Sequence, residues 1–220
     1  MKKLIYIALI AGISVVSCKK DPDPVSKVVA VSYPTITLNG NAIVSTGIGS
    51  GAYTDPGATG LDDVTGQTST LSPVSNNVDL TTPGFYSVKY SMKNSNGYIS
   101  ESTRLVLVTS ADPVTDISGP YHRVSNGQDV TFTKQGTGLY TTDNVGGVPG
   151  SPAYVFDVYF GMVDNNATAA SIQVPSQPNA LGGDVYCDVT DFQMDAADTA
   201  ISWVVRGAGF GTAVRVFTHD

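Results

Sequence analysis

The chain is built from short runs in which apolar and polar residues alternate, and turn-forming residues separate these runs. The run at residues 86–90, of sequence YSVKY, shows the period-two pattern that buries one face of a strand. Glutamate, a strong helix former, is nearly absent: Glu101 is the only one among 19 acidic residues. Thr, Val, Ser and Gly are plentiful, and these residues favour strands and turns. The pattern predicts an all-β protein.

The first part of the chain contains about seven such runs, which fits a sandwich of two sheets. Asn39-Gly40 and Asn96-Gly97 are typical of the turns between them, since Asn and Gly tolerate positive φ. We therefore predict an immunoglobulin-like β-sandwich over residues 28–109. The main runs lie at residues 28–38, 42–48, 64–71, 85–92 and 103–108.

A small polar joint with a proline, residues 110–116, leads into a second module at residues 117–220. Sequential strands with short Gly-rich turns predict an antiparallel β meander, either a small lipocalin-like barrel or a sandwich. A closed meander is expected to have a mouth for a ligand. The predicted strands lie near residues 119–124, 130–134, 138–142, 154–162, 171–174, 184–194, 201–206 and 213–219.

The N-terminus has the three zones of a secretory signal: Lys2 and Lys3, an apolar run at residues 4–16, and small residues before Cys18. The run is too short for a membrane helix, which needs roughly 20 apolar residues. We predict a signal peptide at residues 1–17 that is cleaved before a functional Cys18; an ordinary signal peptide with a coincidental cysteine and a buried first helix are the alternatives. Residues 15–18, of sequence VVSC, resemble the lipobox of bacterial lipoproteins. That resemblance implies cleavage before Cys18 and its acylation, with palmitate or similar chains that hold the protein to a membrane.

Residues 18–27 hold two prolines among charged and small residues, which predicts a semi-extended, lipidated tether. The stretch from Lys19 to Asp23 resembles the acidic export signals of surface lipoproteins in Gram-negative bacteria. The resemblance implies a lipid-anchored protein of the outer membrane, exposed at the cell surface. Lys19 and Lys20 depart from a purely acidic signal, and a protein that faces the periplasm stays open.

Four spaced motifs in the predicted sandwich resemble the bacterial immunoglobulin-like surface domain of unknown function. They are PTITLNG at residues 34–40, YTDPGA at 53–58, DD at 62–63 and VDLTTPGFYSVKY at 78–90. The resemblance implies a spacer or adhesion domain without common catalytic residues. Residues 93–98 depart from the usual D-x-x-G-N turn of the family, which alters a turn and leaves the fold expected.

The second module is similar to uncharacterised C-terminal modules of surface lipoproteins near glycan-uptake, starch-utilisation-like systems. The segments that carry this likeness are GPYHR at residues 119–123, GLYTTDN at 138–144, ISW at 201–203 and GFG at 209–211. The resemblance implies a polysaccharide ligand or an outer-membrane transporter complex as partner.

Charge and cysteine content exclude some functions. The formal net charge is −7, and removal of Lys2 and Lys3 with the signal peptide makes it −7 − 2 = −9, which excludes nucleic acid as a partner. Once Cys18 is acylated, Cys187 is the only other cysteine, so no internal disulfide is expected. Cys187 is predicted to be a small buried hydrophobe, with a reactive thiol as the alternative.

The sequence offers no recognisable catalytic constellation. A glycosidase pair would have to come from aspartates such as Asp157, Asp188, Asp191 or Asp195, and most aspartates adjoin turn residues where they cap the backbone. Only two histidines could serve as the base of a nucleophile, and no G-x-S-x-G motif is present. We therefore predict no enzyme, no cofactor and no metal. A calcium site from four aspartates is a minor alternative, although their spacing matches no known calcium loop: Asp55, Asp62, Asp63 and Asp79.

Aromatic and hydrogen-bonding side chains of the second module remain as candidate ligand residues, because a sugar face stacks on an aromatic plane. The candidates are Tyr121, Arg123, Tyr140, Asn144 and Trp203. Trp203 shares one strand face with Ile201 and Val205, which is more typical of a core, and each tyrosine also suits a structural role. The sequence thus predicts a non-enzymatic surface lipoprotein whose spacer presents a β-rich module for glycan binding or uptake. The alternatives are a structural or adhesive protein without a small ligand and, third, a glycan-active enzyme.

Overall fold

The computed structural model describes residues 31–166, 171–178, 182–187, 193–194, 200–207 and 209–219. The predicted signal peptide at residues 1–17, Cys18 and the tether to residue 27 lie outside the described residues, as do Asp188, Asp191 and Asp195. Within the described ranges, no helix is both long enough and apolar enough to cross a membrane.

The first part of the described chain forms seven strands in two sheets. One sheet has the order β1-β3-β4 and the other the order β2-β7-β6-β5, and β2 runs parallel to β7 while all other pairs are antiparallel. The predicted immunoglobulin-like sandwich is confirmed. The strands are β1 (Thr35–Leu38), β2 (Ile43–Gly47), β3 (Ala58–Leu61), β4 (Thr68–Leu71), β5 (Ser75–Asn76), β6 (Gly84–Lys93) and β7 (Ile99–Thr109).

The second part of the described chain forms a single antiparallel sheet of nine strands. Its order is β13-β12-β11-β10-β9-β8-β16-β15-β14, and one short 3₁₀ helix, Pro152–Tyr154, lies between β10 and β11. The strands are β8 (Gly119–Arg123), β9 (Asp129–Gly136), β10 (Leu139–Thr142), β11 (Val158–Met162), β12 (Ile172–Pro178), β13 (Asp184–Cys187), β14 (Gln193–Met194), β15 (Ala200–Val204) and β16 (Val214–His219).

This sheet curls into a near-barrel, which confirms the predicted meander. An isolated antiparallel bridge between Tyr186 on β13 and Arg206, just after β15, connects the two end regions of the sheet. The single strand predicted at residues 184–194 is instead two short strands, β13 and β14, at opposite ends of the sheet order.

The interior of the near-barrel is filled by large aromatic side chains. Trp203 has no exposed surface, and its ring centroid lies 4.9 Å from that of Phe217 and 5.7 Å from that of Phe132. Rings at such distances and tilts attract each other beyond their buried area. The expected mouth for a ligand is therefore occupied by the protein's own core at this level of the barrel.

The two sheets of different modules meet along a contact that we call the seam. Ile43, Phe85 and Leu107 of the immunoglobulin-like sheet pack in one cluster with Leu139, Tyr159 and Val163 of the C-terminal part. Because side chains alternate along β7, Leu105 and Leu107 face the seam while Val106 and Val108 face the opposite side of the sheet. Val106 belongs to the sandwich core.

Glycines of the C-terminal module allow this close approach. A Cβ atom at Gly161 would lie 2.8 Å from both Leu107 Cδ2 and Phe85 Cε2, and one at Gly136 would lie 2.6 Å from Ser45 Oγ. The predicted joint is also held, since Thr109 Oγ1 donates to the Met162 carbonyl at 2.6 Å and the Ser110 amide donates to the Val163 carbonyl at 2.8 Å. The predicted spacer and module thus share a packed interface.

Candidate functional site

Three of the five sequence-predicted ligand residues lie in the core of the near-barrel. Tyr121, Tyr140 and Trp203 are at most 1% exposed. Their polar atoms bind the protein itself: Tyr121 Oη donates to the Ile117 carbonyl, Tyr140 Oη to the Thr115 carbonyl and Trp203 Nε1 to the Val145 carbonyl, at 3.0, 3.1 and 2.8 Å. Such bonds are what buried hydroxyl and indole groups require. These three side chains stabilise the fold through these contacts.

Asn144 and Arg123 lie near one turn. Asn144 is buried, and its amide both donates to the Val148 carbonyl and accepts from the Val148 amide, each at 3.1 Å. Arg123 is half-buried; its Nη1 donates to the Gly147 carbonyl at 3.3 Å, while its buried Nε has no hydrogen-bond partner. Asn144 therefore holds the turn closed, and the five candidates do not form one exposed site.

The four aspartates of the calcium alternative serve separate turns and strands. Asp62 accepts from Ser95 and from the Val64 amide, Asp79 binds Thr81, and Asp63 accepts from Thr35. The Ser95 hydrogen bonds and the turn amides lower the pKa of Asp62 to about 2. Among the described residues, no group of three or more His, Cys, Asp or Glu side chains is placed to hold a metal ion.

Asp55 belongs to a buried ion pair inside the sandwich. Arg104 is fully buried and its Nη1 donates to Asp55 Oδ1 at 2.5 Å, while its Nε donates to the Asn41 carbonyl at 3.0 Å and its Nη2 to the Asn39 carbonyl at 2.5 Å. The hydroxyls of Tyr53 and Tyr90 also donate to Asp55. Arg104 thus joins the turn that contains Asp55 to β7, the strand on which Arg104 itself lies.

Hydrogen bonds within this network stabilise the charged form of Asp55. Burial by itself raises the pKa of Asp55, but the bonds from Arg104 and the tyrosine hydroxyls outweigh burial and lower it from its ordinary value. Burial and the neighbouring carboxylate raise the pKa of Tyr53 and of Tyr90 to about 12. The network is structural, and it explains the YTDPGA motif without a ligand.

His122, Cys187 and His219 lie on three different strands, β8, β13 and β16. His122 Nε2 lies 3.0 Å from Thr218 Oγ1, and the exposed His219 ring packs edge-on against Tyr121 at 4.8 Å. Cys187 is buried on β13, 8% exposed, as the interpretation of a small hydrophobe predicts.

Open space is found beside the seam, in three hollows that we name A, B and C. Hollow A has a volume of about 510 Å³ and includes Asp157, Tyr159, Ser176 and Asp184 from the C-terminal module. Hollow B, about 330 Å³, shares Ile43 and Tyr159 with hollow A. Hollow C, about 400 Å³, shares Ser45 and Thr137 with hollow B. Shared lining residues make the three hollows neighbours along β2, and we call them together the groove.

Hollow A combines an aromatic ring with hydrogen-bonding groups. The Tyr159 amide donates to Gln177 Oε1 and Gln177 Nε2 donates to the Tyr159 carbonyl, both at 2.8 Å, so the backbone that carries the ring is held on both sides. Ser176 Oγ donates to Asp184 Oδ2 at 2.6 Å, and both residues are exposed. Asp157 and Thr103 are also exposed there. This arrangement can stack a flat apolar face and accept hydrogen bonds from hydroxyl groups.

Sequence reasoning missed Tyr159 and the groove. Tyr159 sits between Val158 and Phe160, which are both fully buried, and strand alternation places its side chain on the outer face of the sheet. That alternation is visible in the sequence, but only the seam shows that the outer face at this position borders a hollow.

Comparison with known proteins identifies the first module. Residues 36–108 match the family described as bacterial surface protein, Ig-like domain. This stretch therefore carries an Ig-like domain of the bacterial surface-protein kind. The chain is also similar to the crystal structure of a lipoprotein from Bacteroides thetaiotaomicron, with 22% identity over 84% of this chain and 100% of that chain and a TM-score of 0.39. No curated protein matches the chain.

Proposed function

We propose that this protein is a non-enzymatic, lipid-anchored protein of the outer bacterial surface that binds a glycan in hollow A. The Ig-like domain supports a place at the cell surface, and the lipobox at residues 15–18 supports a lipid anchor at Cys18. The observation that carries the glycan proposal is the half-buried Tyr159, which lines a hollow of about 510 Å³ together with exposed carboxylate and hydroxyl groups.

The chemistry of hollow A suits a sugar. A pyranose has an apolar face that stacks on a tyrosine ring and hydroxyls at its rim that need acceptors and donors. Asp157, Asp184 and Ser176 supply such groups at the edge of the hollow. Among the described residues, no lysine or arginine lines hollow A, so a neutral glycan is favoured over an anionic one. In this proposal the protein hands bound glycan to an outer-membrane transporter complex.

Binding of the purified full chain in detergent to a panel of neutral and anionic polysaccharides tests the proposal. Wild-type protein is expected to retain at least one neutral polysaccharide, and Tyr159→Ala is expected to weaken binding by at least about tenfold, since stacking on an aromatic ring contributes substantially. Tyr33→Ala is the matched control: Tyr33 is 55% exposed on the Ig-like domain and does not line the groove. If no polysaccharide of the panel binds, or if Tyr159→Ala and Tyr33→Ala weaken binding equally, the result counts against glycan recognition in hollow A.

A structural or adhesive role is the second candidate. The packed seam favours it, because two domains that pack against each other form a more rigid unit than two domains joined by a flexible linker. Under that role Tyr159→Ala leaves cell-surface attachment phenotypes unchanged. An enzyme would instead release new reducing ends from a bound polysaccharide, and we expect none from the purified chain.

A further inference from the structure

The outer edge of β2 carries backbone groups that no other strand uses. β2 is the edge strand of its sheet and pairs only with β7. The bonds from the Leu105 amide to the Ala42 carbonyl and from the Ile48 amide to the Thr109 carbonyl fix which residues face β7. In a parallel ladder alternate residues bond the partner, so Val44 and Thr46 face β7 while Ile43 and Ser45 point their N–H and C=O groups the other way. Within the described residues, these groups of Ile43 and Ser45 have no hydrogen-bond partner.

This unpaired edge faces the groove. Ile43 lines hollows A and B, and Ser45 lines hollows B and C. Proteins usually protect an edge strand with lysine, proline, a bulge or a covering segment, and the five residues of β2, IVSTG, contain no charge and no proline. Gln135 and Thr137 of the C-terminal module line the same hollows, so a segment that pairs with β2 has to fit beside them.

We propose that the β2 edge docks an extended, basic peptide segment of a partner protein by strand addition. In this binding mode main-chain hydrogen bonds supply affinity and alternate side chains supply specificity. The five residues of β2 span about 17 Å, which matches a segment of about five residues. This inference goes beyond glycan binding: a glycan would contact Tyr159 in hollow A, whereas strand pairing takes place along hollows B and C and only the basic end of the peptide reaches the aspartates of hollow A.

Charge complementarity selects a basic partner and its register. The chain has a formal net charge of −7, which repels acidic segments. Of the described residues that line the groove, the charged ones are Asp157 and Asp184, which line hollow A as Ile43 does, and those that line hollows B and C are uncharged. A docked segment therefore places Lys or Arg at the Ile43 end and small uncharged or β-branched residues beside Ser45.

The test is a selection of displayed random peptides, about ten residues long, on the purified full chain, followed by measurements with the most enriched synthetic peptide. We expect β-forming peptides with Lys or Arg at one end, and protection of the Ile43 and Ser45 amides from hydrogen exchange when the peptide is bound. Methylation of alternate peptide nitrogens keeps every side chain but removes donors, and is expected to weaken binding by at least about tenfold in one of the two alternation registers.

Three protein variants make the test specific. Ser45→Pro removes the outward N–H while leaving the bonds of Val44 and Thr46 to β7, and is expected to weaken peptide binding by at least about tenfold. Thr137→Trp fills hollows B and C from the opposite side without altering β2, so it serves if the proline variant does not fold. Asp157→Asn with Asp184→Asn is expected to weaken binding severalfold and to reduce its salt dependence.

Strand addition is overturned if no peptide is enriched, if bound peptides leave Ile43 and Ser45 exchanging as before, or if both methylated peptides bind as tightly as the parent. Glycan binding is measured on the same variants: its retention in Ser45→Pro separates a failure of this inference from a failure of glycan recognition in hollow A.

Discussion

Arg104 shows how a single buried charge organises the Ig-like sandwich. A buried guanidinium is costly unless each of its donors is used, and here they bind Asp55 and three carbonyl oxygens, those of Asn39, Asn41 and Gly57. Asp55 in turn accepts from the Gly57 amide, which closes the Asp55-Pro56-Gly57 turn. The aspartate of the YTDPGA motif is therefore required by the arginine on β7, a dependence across 49 positions of the chain.

Asp55→Asn is expected to lower the free energy of unfolding by about 3 kcal/mol, because it leaves the Arg104 charge buried without a counter-charge. Urea denaturation of the two proteins measures the difference. Asp63→Asn is the matched control, since Asp63 is exposed and, among the described residues, accepts a hydrogen bond only from Thr35, at 3.4–3.5 Å; a change within about 0.5 kcal/mol is expected there. Similar losses in the two variants would remove the special role of the ion pair.

The same carboxylate should make stability depend on pH in acid. Because the folded pKa of Asp55 lies below its unfolded value of about 3.9, its contribution is complete above about pH 5 and is lost as pH falls through the folded pKa. The difference in unfolding free energy between wild type and Asp55→Asn should therefore shrink between about pH 5 and pH 2. Taking the difference between the two proteins cancels the pH-dependent contributions of the other carboxylates. A difference that stays constant over this range would contradict the role assigned to Asp55.

Residue patterns in the sequence separate core from surface better than they locate a binding site. Strand alternation correctly associates Trp203 with Ile201 as core side chains. The same rule cannot distinguish Tyr140, whose hydroxyl donates a hydrogen bond to the Thr115 carbonyl, from Tyr159, which lines a hollow. The difference depends on what packs against the outer face of the C-terminal sheet, and that is a contact between residues more than 50 positions apart.

At the scale of elements, the seam depends on strand residues that lack a side chain. Gly161→Ala is expected to lower the unfolding free energy by about 1–3 kcal/mol, because the new methyl would lie 2.8 Å from Leu107 and Phe85, and Leu107 is fully buried. Thermal or urea unfolding measures this loss. Gly47→Ala is the matched control: it is also a strand glycine, and no atom lies within 4 Å of its added Cβ. A loss at Gly47 equal to that at Gly161 would show that crowding at the seam is not the cause.

Most strands were predictable, and the contact between the two modules was not. Alternating runs and Asn-Gly turns locate β6 and β7 because the signal is local. β7 also carries a signal of the seam, since residues 105–108 form the continuous apolar run LVLV of a strand buried on both faces. Gly136 and Gly161, by contrast, look like turn or bulge residues in the sequence, and only the partner side chains explain them.

At the scale of the whole molecule, the packed joint changes what a spacer can do. A flexible linker would let the second module sample many orientations, but Thr109 and Ser110 are bonded to Met162 and Val163. The semi-extended tether that Pro22 and Pro24 predict precedes the described residues, which begin at residue 31. In the proposed function, acylation of Cys18 at the start of this tether sets where the groove is displayed.

Cys18→Ser should move the protein from the membrane fraction to the soluble fraction, because several acyl chains hold a protein firmly and each buried methylene contributes about 0.8 kcal/mol. Cell fractionation with metabolic labelling by a palmitate analogue measures both location and acylation, and label should disappear in the variant. Cys187→Ser is the matched control, since Cys187 is buried in the C-terminal sheet and should not affect either readout once the variant folds.

Protease treatment of intact cells then shows which face of the membrane the protein occupies. Digestion of the wild-type chain indicates surface exposure, and protection that ends only when the outer membrane is permeabilised indicates the periplasmic face. A Cys18→Ser protein that still sediments with the membrane and still carries label would contradict the lipobox assignment, and with it the anchor from which the groove is displayed.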